Sequence, residues 1–320
     1  MENCAPASYL IHDLRRLRGQ FGLHRVRWPV ALALSTACIL LSACSATRIG
    51  YNMAPTLLDW RISGYVTFTA AQQEVVDRNL ATLHEWHRKT QLPLYVGFLD
   101  KLTARLSTDN SRPGAPELAG WRHQAVDALA AVPPVAAPLV AEIVLTLEPA
   151  QLDQIEARMS EDDTEARKRY QLDADPKQRF EARLERWTRR AEWFLGELST
   201  RQRVHLEERV RQAPDSTGWW QRRSELRQRS QAVVRAIATD KPTLADATRQ
   251  IELLLASYGA PTSLSNPAQV RVVSNSPMLK HGDETMAQML SMASSVQIAH
   301  LRAKLGGLSE DLSRVDGFAQ

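Results

Sequence analysis

Cysteine is nearly missing from this chain, with three in 320 residues, at positions 4, 38 and 44. From residue 45 onward there is none, so no disulfide staples the bulk of the chain and its stability must come from packing. Stretches that alternate apolar and polar residues, the mark of half-buried strands, are almost absent; Gln269 to Val273 could make one short extended piece. A large excess of one charge is lacking too, since 40 basic residues stand against 36 acidic ones. Nucleic acid as a partner therefore loses its electrostatic basis, despite a sequence pI near 9.1. Nor is there a phosphate-binding glycine loop, an HExxH zinc motif or a nucleophile elbow. That excludes catalysis defined by a local motif, and leaves only an active site assembled from several helices.

What the chain does have is helical periodicity. Phe180, Leu184, Trp187, Ala191, Phe194 and Leu198 are spaced 4-3-4-3-4 behind Pro176, which suits a first turn. Leu244, Ala247, Ile251, Leu254 and Tyr258 repeat the pattern behind Pro242. Met286, Leu290, Ala293, Gln297, Leu301 and Leu305 carry it again, with Gly306 and Gly307 as the expected stop. Further helices read at about 73–92, 117–130, 135–145, 149–170, 200–213 and 217–239. One apolar seam per helix predicts an all-α fold, an antiparallel bundle of helical hairpins over residues 55–320, with an irregular loop at 260–277. Arginine-rich runs at 179–190 and 222–235 read as solvated helix faces.

One local pattern recurs. Phe68-Thr69-Ala70-Ala71-Gln72, Leu147-Glu148-Pro149-Ala150-Gln151 and Leu198-Ser199-Thr200-Arg201-Gln202 each place an apolar residue, a capping-type residue, two spacers and a glutamine. Thr69 and Ser199 suit helix N-caps, with Gln72 and Gln202 reaching back to the cap amide, the capping-box arrangement.

Near the start, Arg15, Arg16, Arg18, Arg25 and Arg27 precede a twelve-residue apolar run from Val30 to Leu41. A bilayer needs ~20 such residues, so the run is too short to span one. It ends in Leu41-Ser42-Ala43-Cys44, which resembles the lipobox of a bacterial lipoprotein signal peptide. The resemblance implies removal of residues 1–43, cleavage at Leu41, Ser42 and Ala43, acylation of Cys44 by chains such as palmitate, and a short tether over 44–54. Two or three acyl chains hold a protein to a leaflet stably, where one holds it marginally. Ser45, where an aspartate usually signals inner-membrane retention, implies the periplasmic face of the outer membrane. The segment through Ala43 carries five of the basic and two of the acidic residues, leaving 35 against 34 over 277 residues. With no methionine between Met1 and Met53, a later start would need a valine or leucine codon.

Tyr51-Asn52, then Leu58-Asp59-Trp60, Tyr65, Thr69 to Gln72, and Trp193-Phe194-Leu195-Gly196-Glu197-Leu198-Ser199-Thr200-Arg201-Gln202 together resemble an uncharacterised family of Gram-negative lipoproteins carrying a helical domain of unknown function. Tyr51, Asn52, Trp60, Tyr65, Gln72, Gly196 and Gln202 carry that likeness, which implies location and helical architecture but no reaction. Gly64 before Tyr65 departs from the family's acidic pattern. The glutamine motif is also similar, more loosely, to the Leu-Thr-x-x-Gln of small helical periplasmic chaperones.

Two constellations could bear chemistry. His84 and His87, three residues apart on a helix, could share an ion, but no cysteine or third histidine lies close in sequence to complete a zinc set. Met286, Met289 and Met292, with Met278 and His281 upstream, read first as core, next as an adaptable binding surface and last as a copper(I) site. Leu57, Leu58, Trp60, Ile62 and Tyr65 read as a segment that packs on the bundle in preference to grazing lipid headgroups. No catalytic residue, metal or cofactor is assigned. The expected partners are the membrane, through the N-terminal lipid, and an unidentified protein. The functional reading is binding or scaffolding, with a chaperone-like client binder as the alternative and an enzyme with a dispersed site third.

Overall fold

Capping residues and prolines cut the chain into helices, and among the residues that the structure describes there is no strand. The structure is a computed structural model that describes residues 46–108, 112–214, 217–258 and 276–315. In chain order the helices are α1 (Ala46–Asn52), α2 (Ala54–Ser63), α3 (Ala70–Thr90), α4 (Leu92–Thr108), α5 (Ala115–Leu129), α6 (Val132–Val144), α7 (Pro149–Arg169), α8 (Pro176–Leu195), α9 (Thr200–Gln212), α10 (Thr217–Asp240), α11 (Leu244–Tyr258), α12 (Pro277–Ser291) and α13 (Ser295–Ser313). The all-α class expected from the periodicity is the class the chain adopts. Cys44, the cleavage residues Leu41, Ser42 and Ala43, and all but the end of the 260–277 loop lie outside the described residues.

Two hydrophobic cores organise these helices. In the first, Leu102 and Leu106 of α4, Ala191 and Leu195 of α8, Leu206 and Val210 of α9, Met289 and Leu290 of α12, and Ile298, Leu301 and Leu305 of α13 are buried together. The Phe180–Leu198 seam supplies its α8 wall, with Leu184, Trp187 and Phe194 packed at the edge. In the second, Ala137, Ala141 and Val144 of α6 meet Ile237 and Ala238 of α10 and Ala247 and Ile251 of α11, closed by Leu147 and Leu152. Small alanines let α6 and α11 approach closely, and that pair and α4 with α13 make the most extensive helix contacts. The run Ala115–Val144 is long and apolar enough by composition to cross a membrane. Its α6 part, however, places Ala136, Ala137, Ala141 and Val144 in the core.

A spine joins the two cores. The Gln91 amide donates to His87 O at 2.8 Å and the Tyr95 amide to Gln91 O at 3.0 Å, so α4 continues α3 with little interruption. α3 packs on α6, while α4 packs on α13.

The structure departs from the sequence reading at four places. Residues 92–108, assigned no helix above, form α4, with Pro93 tolerated in the first turn. The methionine segment is two helices, because Ser294 caps a new start, accepting from the Gln297 amide at 3.2 Å, and α13 then runs through Gly306 and Gly307 to Ser313. The segment read as tether is helical from Ala46. Finally, Leu57, Leu58 and Trp60 stand exposed and do not pack on the bundle. Met289 is fully buried, and Met286 and Met292 pack half-buried against the first core.

Candidate functional site at the glutamine clasps and the N-terminal helix

The recurring glutamines meet in pairs. At the starts of α3 and α7, Gln72 Nε2 donates to Gln151 Oε1 at 3.1 Å and Gln151 Nε2 donates to Gln72 Oε1 at 2.7 Å. Gln72 Nε2 also donates to Thr146 O and Gln151 Nε2 to Thr67 O, each at 2.8 Å. Each amide oxygen further accepts from its own cap, Thr69 N at 3.0 Å and Glu148 N at 3.0 Å. Every donor and acceptor of two buried side chains is thereby satisfied, which is the condition for burying a polar pair without a net penalty.

The same clasp joins α9 to α13. Gln202 Nε2 and Gln297 Nε2 exchange donors with each other's Oε1 at 3.1 and 2.9 Å, and Gln297 also donates to Glu197 O at 2.8 Å. Ser199 and Ser294 N–H groups donate to their respective glutamine oxygens. Gln297 is a fourth copy of the pattern, in Ala293-Ser294-Ser295-Val296-Gln297, that the sequence reading passed over. A serine three residues before a glutamine was the signal that could have found it. Gly196 makes the second clasp possible. Its φ of 72° and ψ of −153° lie in a region that is essentially glycine-only, and there the chain turns from α8 so that Glu197 O faces Gln297.

At the other end, Tyr51 on α1 holds both histidines of α3. His84 Nε2 donates to Tyr51 O at 3.0 Å, and Tyr51 Oη lies 2.9 Å from His87 Nδ1. The Tyr51 ring stacks tilted on His84 at 4.8 Å, and Tyr95 of α4 meets His87 edge-on at 5.4 Å. Burial pushes the Tyr51 phenol up to about 12, against the pull of Arg88. Burial likewise lowers His84 and His87 below the ordinary imidazole value, with Arg88 adding to the effect at His84 and the His84 charge adding to it at His87. The result is an uncharged polar latch. The two imidazoles turn to Tyr51. Among the described residues no group of three or more His, Cys, Asp or Glu is placed to hold a metal.

The remaining motif residues fall around these features. Tyr65 hydrogen-bonds Asp162 of α7, which also pairs with Arg61 at 3.0 Å and Arg158 at 2.9 Å. Asn52 lies in the last turn of α1 beside Tyr51. Trp60 projects from α2 into solvent. A separate buried knot ties α9 to α12: Arg209 donates to Thr285 Oγ1 at 3.2 Å and His281 Nδ1 at 3.1 Å, while His281 Nε2 donates to Arg209 O at 2.8 Å. Burial lowers His281 as well, and the Arg209 charge adds to it.

No curated protein and no solved structure matches the chain. Residues 64–255 match DUF6279, a family of unknown function. That span contains the first clasp whole, together with Gly196 and Gln202 of the second, and it is most of the chain. The chain is therefore a member of the DUF6279 family.

Proposed function

We propose that this chain is a lipid-anchored protein of the periplasmic face of the outer membrane, whose helical domain binds or scaffolds a protein partner. The observation that carries this reading is the sequence Leu41-Ser42-Ala43-Cys44 behind a basic segment and a twelve-residue apolar run, placed two residues before α1 begins. What the family-type residues do in the structure supports a non-catalytic role. Gln72, Gln202 and Gly196 hold helix starts together, and Tyr51 locks α1 to α3. None of them presents a reactive group to a cleft.

The test is metabolic labelling with a fatty acid, followed by membrane fractionation of the wild type and Cys44→Ser. The wild type is expected to take up label and sediment with the outer membrane, and the variant to do neither. Membrane recovery of both forms without label in either would overturn the reading. Mild crosslinking in cells, followed by purification, would then identify the partner.

A second reading, a chaperone-like client binder, is favoured by one surface. Val204 and Val296 are exposed near the second clasp, and Val204 borders a groove of about 520 Å³ with His205, Glu208, Gln288 and Met292. Slowed aggregation of an unfolded client, lost in Val204→Asp, would support that reading over scaffolding.

A further inference from the structure

The α1–α2 rod has one face that nothing in the fold covers. Met53 N donates to Ile49 O at 3.0 Å and Leu57 N to Met53 O at 2.9 Å, so helical winding carries across the joint between the two helices. At ~100° per residue, Ile49, Met53, Leu57 and Trp60 project within an arc of about 80°. Ile49, Met53 and Leu57 are each 48% exposed and Trp60 is 74% exposed. Ala46, Thr56 and Ser63 share this side of the rod and are exposed too, so the whole face lacks an ionisable side chain. Elsewhere on the rod Tyr51 is engaged by His84 and His87, Asp59 by Gln73 at 2.7 Å and Arg61 by Asp162, while Leu58 stands exposed on a separate side.

We infer that this face lies in the headgroup layer of the lipid leaflet and sets the orientation of the whole domain on the membrane. The inference rests on the lipid anchor proposed above. Ile49 follows Cys44 by five residues, a reach of at most ~18 Å, so an acylated Cys44 holds the start of the stripe close to the bilayer surface. Aliphatic side chains along an uncharged face, ended by an exposed indole, match the chemistry of the interface between acyl chains and headgroups, where tryptophan concentrates. The latch at Tyr51 and the Arg61 and Tyr65 bonds to Asp162 make the rod rigid with the body. A face held in lipid therefore fixes which surface the domain presents to the periplasm.

The test uses the full chain reconstituted in phosphatidylethanolamine and phosphatidylglycerol vesicles. Single cysteines replace Leu57 and Trp60 on the stripe, with Leu58 on another face of α2 and Val204 on α9 as controls, and each carries a nitroxide. Collision with lipid-soluble oxygen, relative to a water-soluble nickel chelate, is expected to be several-fold higher at 57 and 60 than at 58 and 204. Sedimentation of the same samples with the vesicles reports the anchor independently. Protein that sediments with all four labels open to nickel overturns this inference and leaves the anchor standing. Labels at 57 and 60 shielded from both reagents overturn it in favour of a protein covering the stripe. Protein that fails to sediment overturns both.

Discussion

Gln202 and Gln297, 95 residues apart, donate to each other's side-chain oxygen at 3.1 and 2.9 Å, with Gln202 fully buried. The exchange works only because each side chain is at once donor and acceptor. Gln202→Glu keeps the shape but loses both donors and puts a carboxylate against the Gln297 oxygen. It is expected to destabilise the domain by about 3–5 kcal/mol, the range for a buried charge left without its partner. Gln202→Ala leaves Gln297 with orphaned groups and is expected to cost less, about 2–3 kcal/mol. Urea unfolding of both variants checks this. Losses within experimental error for both variants would show that the amide exchange contributes little.

Gly196 gives a sharper contrast. A β-carbon there would come nearest to His300, at 3.7 Å, ordinary contact, so the cost of Gly196→Ala is conformational, about 1–3 kcal/mol. Gly120, in the middle of α5 with open space around it, is expected to behave oppositely and gain ~0.5–1 kcal/mol as alanine. The difference in thermal midpoint between the two variants measures the glycine-only turn directly.

Much of the architecture is written locally. The Phe180 to Leu198 spacing is a single helical face, and a serine or threonine followed three residues on by glutamine marks a helix start through bonds made within one turn. What the glutamines pair with is not local, because the partners lie 79 and 95 residues away and only the assembled bundle brings them together. Gln297 escaped notice since Leu290, Ala293, Gln297 and Leu301 keep 3-4 spacing straight through the break at Met292. Leu92–Thr108 contains Pro93 and Gly97 and still forms a helix, since proline costs nothing in a first turn. Leu57, Leu58 and Trp60, expected to pack on the bundle, are exposed for a different reason. Apolar composition shows that a face avoids water, and tertiary structure decides what covers it.

Acid is expected to weaken the fold through three histidines. Burial lowers the folded pKa of His84, His87 and His281 from the ordinary 6.5. Between the folded and unfolded values the unfolded chain binds more protons, so stability rises with pH there. The contribution is therefore intact above about pH 6.5 and is lost progressively as pH falls below it. Urea midpoints measured from pH 8 to pH 5 should decline over the acidic half of that range. His87→Asn, which has no imidazole to protonate at that site, should flatten part of the decline. A parallel profile in the variant would remove His87 from the account.

The Tyr51 latch can be separated into its two halves by exchange. Tyr51→Phe removes the hydroxyl that lies 2.9 Å from His87 but retains the ring over His84. A single hydrogen bond contributes ~0.5–1.5 kcal/mol net, so amide exchange over Ala46–Asn52 should quicken several-fold, up to about tenfold. Tyr51→Ala also removes the ring over His84 and leaves only the backbone oxygen at position 51 to accept from His84 Nε2. Exchange over α1 should then quicken further, short of unstructured chain because α1 also packs on α13, while α3 and α4 stay protected through their own contacts with α6 and α13. Were α3 to lose protection together with α1, the latch would be part of the bundle's core stability and not a local clamp on α1.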